Sequence, residues 1–231
     1  MRSKFIKGRA NPIRAAIFDM DGLLIDSEPF WQDTEVAVFT QLGVPLTQEM
    51  TKETMGLRVD EVVEHWFSRY PWRGLTKEET VRKIVDRIVE SVKTKGEAKE
   101  GAHAAIRLVA KQGIPVAIAS SSWREIIKAV IERLGITEYI SIAHSAEEEA
   151  YGKPHPAVYL TTAQKLGVLP SHCLTFEDSP NGVLSAKAAR MKCVAVPDKA
   201  VRGDKQFCIA DATLSSLKEF TQEVFERLQM V

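Results

Sequence analysis

Three short apolar runs, each rich in small or β-branched residues and each stopping at polar ones, constrain this chain's fold more than any other feature: AAIF before Asp19, IPVAIA before Ser120 and CLTF before Glu177. A fourth, CVAVP, closes the series. Between them lie stretches with apolar residues three and four apart, at 104–109, 126–134, 158–166 and 183–191, which is helical spacing. Strand and helix in alternation predict an α/β fold, a doubly wound, Rossmann-like parallel sheet with helices on both faces. Ligands bind beyond the carboxyl ends of the strands in such sheets, and the polar residues fall there.

The segment 29–95 breaks the alternation. WQDTEVAVFTQLG, VDEVVEHWFSRY and KEETVRKIVDRIVESVK are amphipathic helical patterns, separated by the turn signals TMGLR and YPWRGL, with no strand among them. We therefore expect an all-helical domain over 29–95 inserted into a core of 1–28 and 96–231. It leaves the core just after the first strand, which predicts a lid over the strand ends.

The chain has 231 residues, 45% of them apolar, enough for a buried core without disulfides or metal staples. Lysine plus arginine equals aspartate plus glutamate at 31 each, so no global field draws nucleic acid or an anionic membrane. Any bound anion must be held locally. No apolar run approaches the roughly 18 residues that a membrane span needs. Cys173, Cys193 and Cys208 are scattered without metal-ligand spacing, which fits a reducing cytosol, and Cys193 reads as a strand residue. The basic opening MRSKFIKGRANP lacks the apolar stretch of a secretory signal and reads as a short tail. We expect a cytoplasmic monomer acting on a small molecule, with no nucleic-acid or membrane partner.

Four polar clusters carry the chemistry. In FDMDGLLIDSEP, Asp19 and Asp21 stand two residues apart at a strand end, with Gly22 opening the exit turn. Carboxylates so close repel, and a divalent cation or one raised pKa relieves them. One can then attack phosphorus as a nucleophile while the other donates and later withdraws a proton. Taken alone, the pair also reads as a strand-end turn with two solvated acids. In IASSS, the serines 120–122 precede a helix, and a hydroxyl beside free backbone N–H groups suits a phosphate oxygen, though serine is also a common helix cap. Lys153, in GKPHP, is placed to pair with both a phosphate and Asp19; alone it reads as a surface lysine. In FEDSPNG, Glu177 and Asp178 offer oxygen ligands suited to Mg²⁺, or form an acidic turn, and Ser179 is placed to cap the next helix.

The order of these clusters along the sheet resembles the haloacid dehalogenase superfamily, over nearly the whole chain. The resemblance implies Asp19 as nucleophile, Asp21 as acid/base, and phosphate contacts from Ser120, Ser121 and Lys153. It also implies Mg²⁺ held by Asp19, the Asp21 carbonyl and Asp178, with Glu177 contributing directly or through water. The helical insertion looks like that superfamily's small cap. AAIFDMDGLLIDSEPFW, TMGLRVDEVVEHWFSRYPWRG and SKAARMKCVAVP resemble the bacterial hexitol and 2-deoxyglucose-6-phosphate phosphatases, which implies sugar and sugar-alcohol phosphates as substrates. The chain departs from that pattern at KEGA, with Glu100 before Gly101 where such enzymes commonly have proline.

Within the insertion, Arg58 is a candidate to grip a substrate hydroxyl or phosphate, and Trp31, Trp66 and Trp72 are candidates for an apolar wall, Trp66 reading also as helix core beside Val62, Val63 and Phe67. Asp26, Ser27 and Glu28 are placed to cap the first inserted helix, and Glu28 to reach the site entrance. His155 reads as structural. The alternative of a sugar phosphomutase stays open; the related β-phosphoglucomutases bear a histidine early in the first cap helix, where this chain has Trp31. A receiver-like signalling module shares the sheet and the acids but has no place for Asp21 or for the insertion.

Overall fold

The computed structural model describes residues 12–199 and 201–230, so the tail expected over the first dozen residues lies outside them apart from Pro12. Strand β1 (Ala15–Phe18) is wholly buried. It runs parallel between β2 (Val116–Ser120) and β4 (Cys173–Glu177). β3 (Ile140–Ser145) extends the sheet beyond β2, while β5 (Lys192–Ala195) and β6 (Ala212–Thr213) extend it beyond β4. The order is β3-β2-β1-β4-β5-β6, all parallel.

Alternate residues of β1 enter two separate apolar layers, Ala16 and Phe18 one of them, Ala15 and Ile17 the other. The first layer is closed by α5 (Ala102–Ala110), α6 (Arg124–Leu134) and α9 (Gln222–Met230), the second by α7 (Ala157–Leu166) and α8 (Pro180–Ala188). This is the doubly wound arrangement. Phe18 pairs in register with Phe176, and their rings stack at 4.3 Å.

The four strands expected are present. β3 and β6 were not expected, for a physical reason. β3 lies at the sheet edge and alternates half-buried and exposed residues before its buried end, so it presents no apolar run, and β6 is only two residues long.

Between β1 and α5 stand α1 (Glu28–Gln41), α2 (Gln48–Thr51), α3 (Val59–Arg69) and α4 (Lys77–Lys95), with no strand. α4 starts at a capping box, where Thr76 Oγ1 accepts from the Glu79 N–H at 3.1 Å and Glu79 accepts from the Thr76 N–H at 2.7 Å. Its stripe Val81, Ile84, Val85, Ile88 and Val92 is buried at helical spacing. The chain enters and leaves this segment side by side: the Asp26 N–H donates to Glu97 O at 3.2 Å and the Lys99 N–H to Leu24 O at 2.9 Å. Glu100, at the return to the core, pairs with Lys218 at 3.0 Å.

Candidate active site

β1 ends in a tight loop. The Met20 carbonyl accepts from the N–H groups of Leu23, Leu24 and Ile25, and Gly22 takes φ +71°. A Cβ at Gly22 would come within 2.1 Å of Asp178 Oδ2, so the residue must be glycine for both its backbone angle and the approach of that carboxylate. The loop leaves Asp19 at the strand end, nine-tenths buried, its N–H donating to Phe176 O at 2.9 Å.

Lys153 reaches this point from the loop before α7. Its ammonium, itself buried, donates to Asp19 Oδ1 at 2.6 Å, Glu177 Oε1 at 2.7 Å and the Ala119 carbonyl at 3.2 Å. Tyr159 donates its hydroxyl to the same Glu177 oxygen. Burial pushes the Asp19 carboxyl up to about 7, with Lys153 pulling against it. Burial likewise holds the Asp178 carboxyl well above the usual carboxylate range, and the Asp19 and Glu177 charges add to it. For Lys153, burial disfavours the charge, but the two carboxylates outweigh it and hold its pKa above the ordinary lysine value.

Asp19, Glu177 and Asp178 each offer a carboxylate oxygen, and these oxygens lie within 4.8 Å of one another. One lysine faces three acids. That excess of negative charge on hard oxygen donors fits a divalent cation such as Mg²⁺.

Asp21 is not among these three carboxylates and accepts from four donors. Its Oδ1 accepts from Ser27 Oγ at 2.6 Å and from the Trp31 indole N–H at 3.1 Å. Its Oδ2 accepts from Ser122 Oγ at 2.7 Å and from Ser120 Oγ at 3.3 Å. Two of these donors, Ser120 and Ser122, stand at the end of β2 and just past it, and two, Ser27 and Trp31, stand at the start of α1, so the carboxylate joins them.

Of the residues singled out from sequence, the structure gathers Asp19, Lys153, Glu177 and Asp178 at one point and joins Asp21 to Ser120. Ser121 lies half-buried between Ser120 and Ser122. Ser27 occupies the start of α1 but makes no side-chain cap bond, because its hydroxyl serves Asp21 instead. Ser179 does cap α8, accepting from the Gly182 N–H at 3.0 Å. The Arg58 guanidinium donates to the carbonyls of Ala146 at 3.2 Å and Glu149 at 2.9 Å and pairs with Asp60, so its contacts here join α3 to the loop after β3. Trp66 and Trp72 are core residues of the helical segment. Trp66 is fully buried, and Trp72 packs edge-on to Phe39 and Phe67. Trp31 donates its indole N–H to Asp21. Sequence reasoning grouped Ser122 with Ser120 and Ser121 without pairing it with Asp21, and it did not single out Tyr159. Nothing in the residue types distinguishes Ser122 from its neighbours, and a tyrosine two residues into a helix reads as packing.

A family model for haloacid dehalogenase-like hydrolases matches residues 16–196. Hexitol phosphatase B of Escherichia coli K12 is 42% identical over 210 residues, covering 90% of this chain and 95% of that protein. A phosphorylated carbohydrates phosphatase of Thermotoga maritima is 28% identical over 184 residues, 77% of this chain and 82% of its own. Among solved structures, CbbY of Rhodobacter sphaeroides in complex with phosphate superposes with a TM-score of 0.81 at 25% identity, covering 90% of this chain and 96% of that one. A β-phosphoglucomutase of Clostridium difficile superposes at 0.82 with 20% identity, covering 94% and 97%, a likeness of fold alone.

Proposed function

The chain belongs to the haloacid dehalogenase-like hydrolases, and from that premise we propose that it hydrolyses small sugar and sugar-alcohol phosphates, hexitol phosphates and 2-deoxyglucose 6-phosphate foremost, by way of a phosphoryl group carried on Asp19. It is a phosphoric monoester hydrolase, as its named relatives are phosphatases. The observation that carries the mechanism is the buried Lys153 held between Asp19 and Glu177 at the strand ends.

Asp19 attacks phosphorus through its carboxylate. Lys153 offsets the charge that would otherwise oppose one anion approaching another. Ser120, Ser121 and the N–H groups at the start of α6 receive phosphate oxygens. Asp21 protonates the leaving alkoxide, then takes a proton from the water that attacks the phosphorylated Asp19. To do so it must exchange some of its four present donors for substrate. The residues fitted to hold Mg²⁺ are Asp19, Asp178 and the Asp21 carbonyl, with Glu177 direct or through water; bound there, the ion offsets phosphate charge. The helical segment, residues 29–95, acts as the cap, and Arg58 serves it by pinning α3 to the core. Hydrolysis is preferred to mutase chemistry because Trp31, donating to Asp21, stands where related mutases carry a histidine.

The test pairs a panel of phosphate esters with Asp19→Asn and Asp21→Asn. We expect the wild type to favour hexitol and hexose phosphates over nucleotides. After mixing with an activated aryl phosphate and quenching in acid, mass spectrometry should find added phosphate on Asp19 in Asp21→Asn and none in Asp19→Asn. Label on the Asp19 variant, or near-normal turnover by both, would overturn these roles.

A further inference from the structure

Helix α1 turns one face to the catalytic loop. Trp31 donates to Asp21 from that face. Glu28 is near enough to Asp21 for that charge to add to burial in raising the Glu28 carboxyl. At 3.6 residues per turn, Glu28, Trp31 and Glu35 lie within about 60° of one another around the helix. Another side of the helix faces α4, where Phe30, Asp33 and Thr34 line a cleft with Arg87, Glu90, Ser91 and Lys95. Glu35 therefore continues the face that looks toward the strand ends, about 6 Å further along the axis than Trp31.

Glu35 is only 6% exposed. Its Oε2 is wholly buried and has no hydrogen-bond partner among the described residues. Burial, with the Glu28 carboxylate adding to it, pushes the Glu35 carboxyl up to about 8. Folded chains rarely leave a buried carboxyl oxygen unpaired, since doing so forfeits its hydration. One helical turn on, Val38 and Phe39 are fully buried and apolar. An apolar side chain at 35 would extend that stripe and serve folding better, so the carboxyl answers to something other than packing.

We propose that Glu35 is a specificity-determining residue, its carboxyl receiving a hydroxyl from the carbon chain of the phosphate ester held at Asp19. The inference rests on the sugar-phosphate reading above and names the side chain that enforces it. A protonated carboxyl both donates and accepts, as each carbinol of a polyol does, so the two complete each other's hydrogen bonds. A chain that lacks the hydroxyl leaves Oε2 unpaired in the closed site and is disfavoured for that reason.

The test compares wild type, Glu35→Gln and Glu35→Leu by kcat/KM on a hexitol 6-phosphate and on an aryl phosphate, with thermal unfolding of each. In Glu35→Leu the ratio of hexitol to aryl kcat/KM should fall about 10–100-fold, while Tm rises by about 2–4 °C because the unpaired buried carboxyl is gone. Glu35→Gln, close in shape, should show a smaller fall in the ratio and guards against misfolding of the leucine variant. An unchanged ratio in both variants overturns the inference alone. So does a lowered Tm with both activities falling together, which marks a structural residue. A wild type that ignores sugar phosphates overturns the sugar reading, and this inference with it.

Discussion

Lys153 and Glu35 are both buried ionisable side chains, and they differ in what surrounds them. Lys153 meets two carboxylates and a carbonyl at hydrogen-bond distance, so the loss of hydration is offset. Glu35 has no such compensation for Oε2. The contrast has a measurable consequence in pH. The ordinary glutamate value is 4.5, and in the folded protein the Glu35 carboxyl stands at about 8. Between those values the folded state keeps a proton that the unfolded chain has released. Folding stability contributed by this group therefore falls as pH rises through that window, with a limiting slope of about 1.4 kcal/mol per unit. Glu35→Gln does not titrate there. Denaturation of both proteins at pH 5 and pH 8 should show the variant gaining several kcal/mol on the wild type at the higher pH, on the order of the limiting slope times the window. Other titrating groups cancel in the difference. A flat difference would mean that the Glu35 carboxyl is solvated.

At the scale of elements, the helical segment is joined to the core by a few definable contacts. The antiparallel stretches at 24–26 and 97–99, joined by backbone hydrogen bonds, form one joint. Arg58 forms another, its guanidinium on the Ala146 and Glu149 carbonyls and its stem close over Gly152, where an added Cβ would lie 3.0 Å from Arg58 Cγ. Gly152 precedes Lys153, so the position of α3 and that of Lys153 are mechanically linked. Hydrogen bonds from a charged donor contribute about 1.5–3 kcal/mol. Arg58→Ala should therefore raise KM for sugar phosphates about tenfold and hasten amide exchange over residues 146–153. Raised KM with unaltered exchange would instead assign Arg58 to a substrate contact, the role its position in the sequence suggests.

The sheet's interior strands and the three long inserted helices were legible because burial on both faces leaves an unbroken apolar run, and burial on one face leaves a helical stripe. β3, an edge strand with alternate exposure, leaves neither. The same limit applies within the site. Asp19, Lys153, Glu177 and Asp178 stand at strand ends and loops where topology alone brings them together. Asp21's choice of Ser27, Trp31 and Ser122 as partners depends on rotamers and on how the helical segment sits. The unpaired oxygen of Glu35 is a tertiary property altogether. Its position in α1 reads as one more polar residue of an amphipathic helix.

For the molecule as a whole, the proposed Mg²⁺ site would couple metal binding to folding. Asp19, Glu177 and Asp178 converge on one point with Lys153 as their counter-charge. Without a cation, burial of these carboxylates and then their mutual repulsion oppose the folded state. A ligand that binds only the folded chain stabilises it by about 2.7 kcal/mol at a hundred times its Kd, which for a protein of this size is roughly 5–10 °C in Tm. Saturating Mg²⁺ should thus raise Tm by that amount over the chelated protein, in the absence of substrate. Asp178→Asn separates repulsion from coordination. It removes one of the converging charges, so the chelated variant should melt above the chelated wild type. It also removes a ligand, so added Mg²⁺ should move its Tm by much less than it moves that of the wild type. Calorimetric scans of the two proteins with Mg²⁺ and with chelator give all four values. If Asp178→Asn keeps the full Mg²⁺ shift, Asp178 does not bind the ion; if its chelated form melts lower than the wild type, carboxylate repulsion is not what the ion relieves.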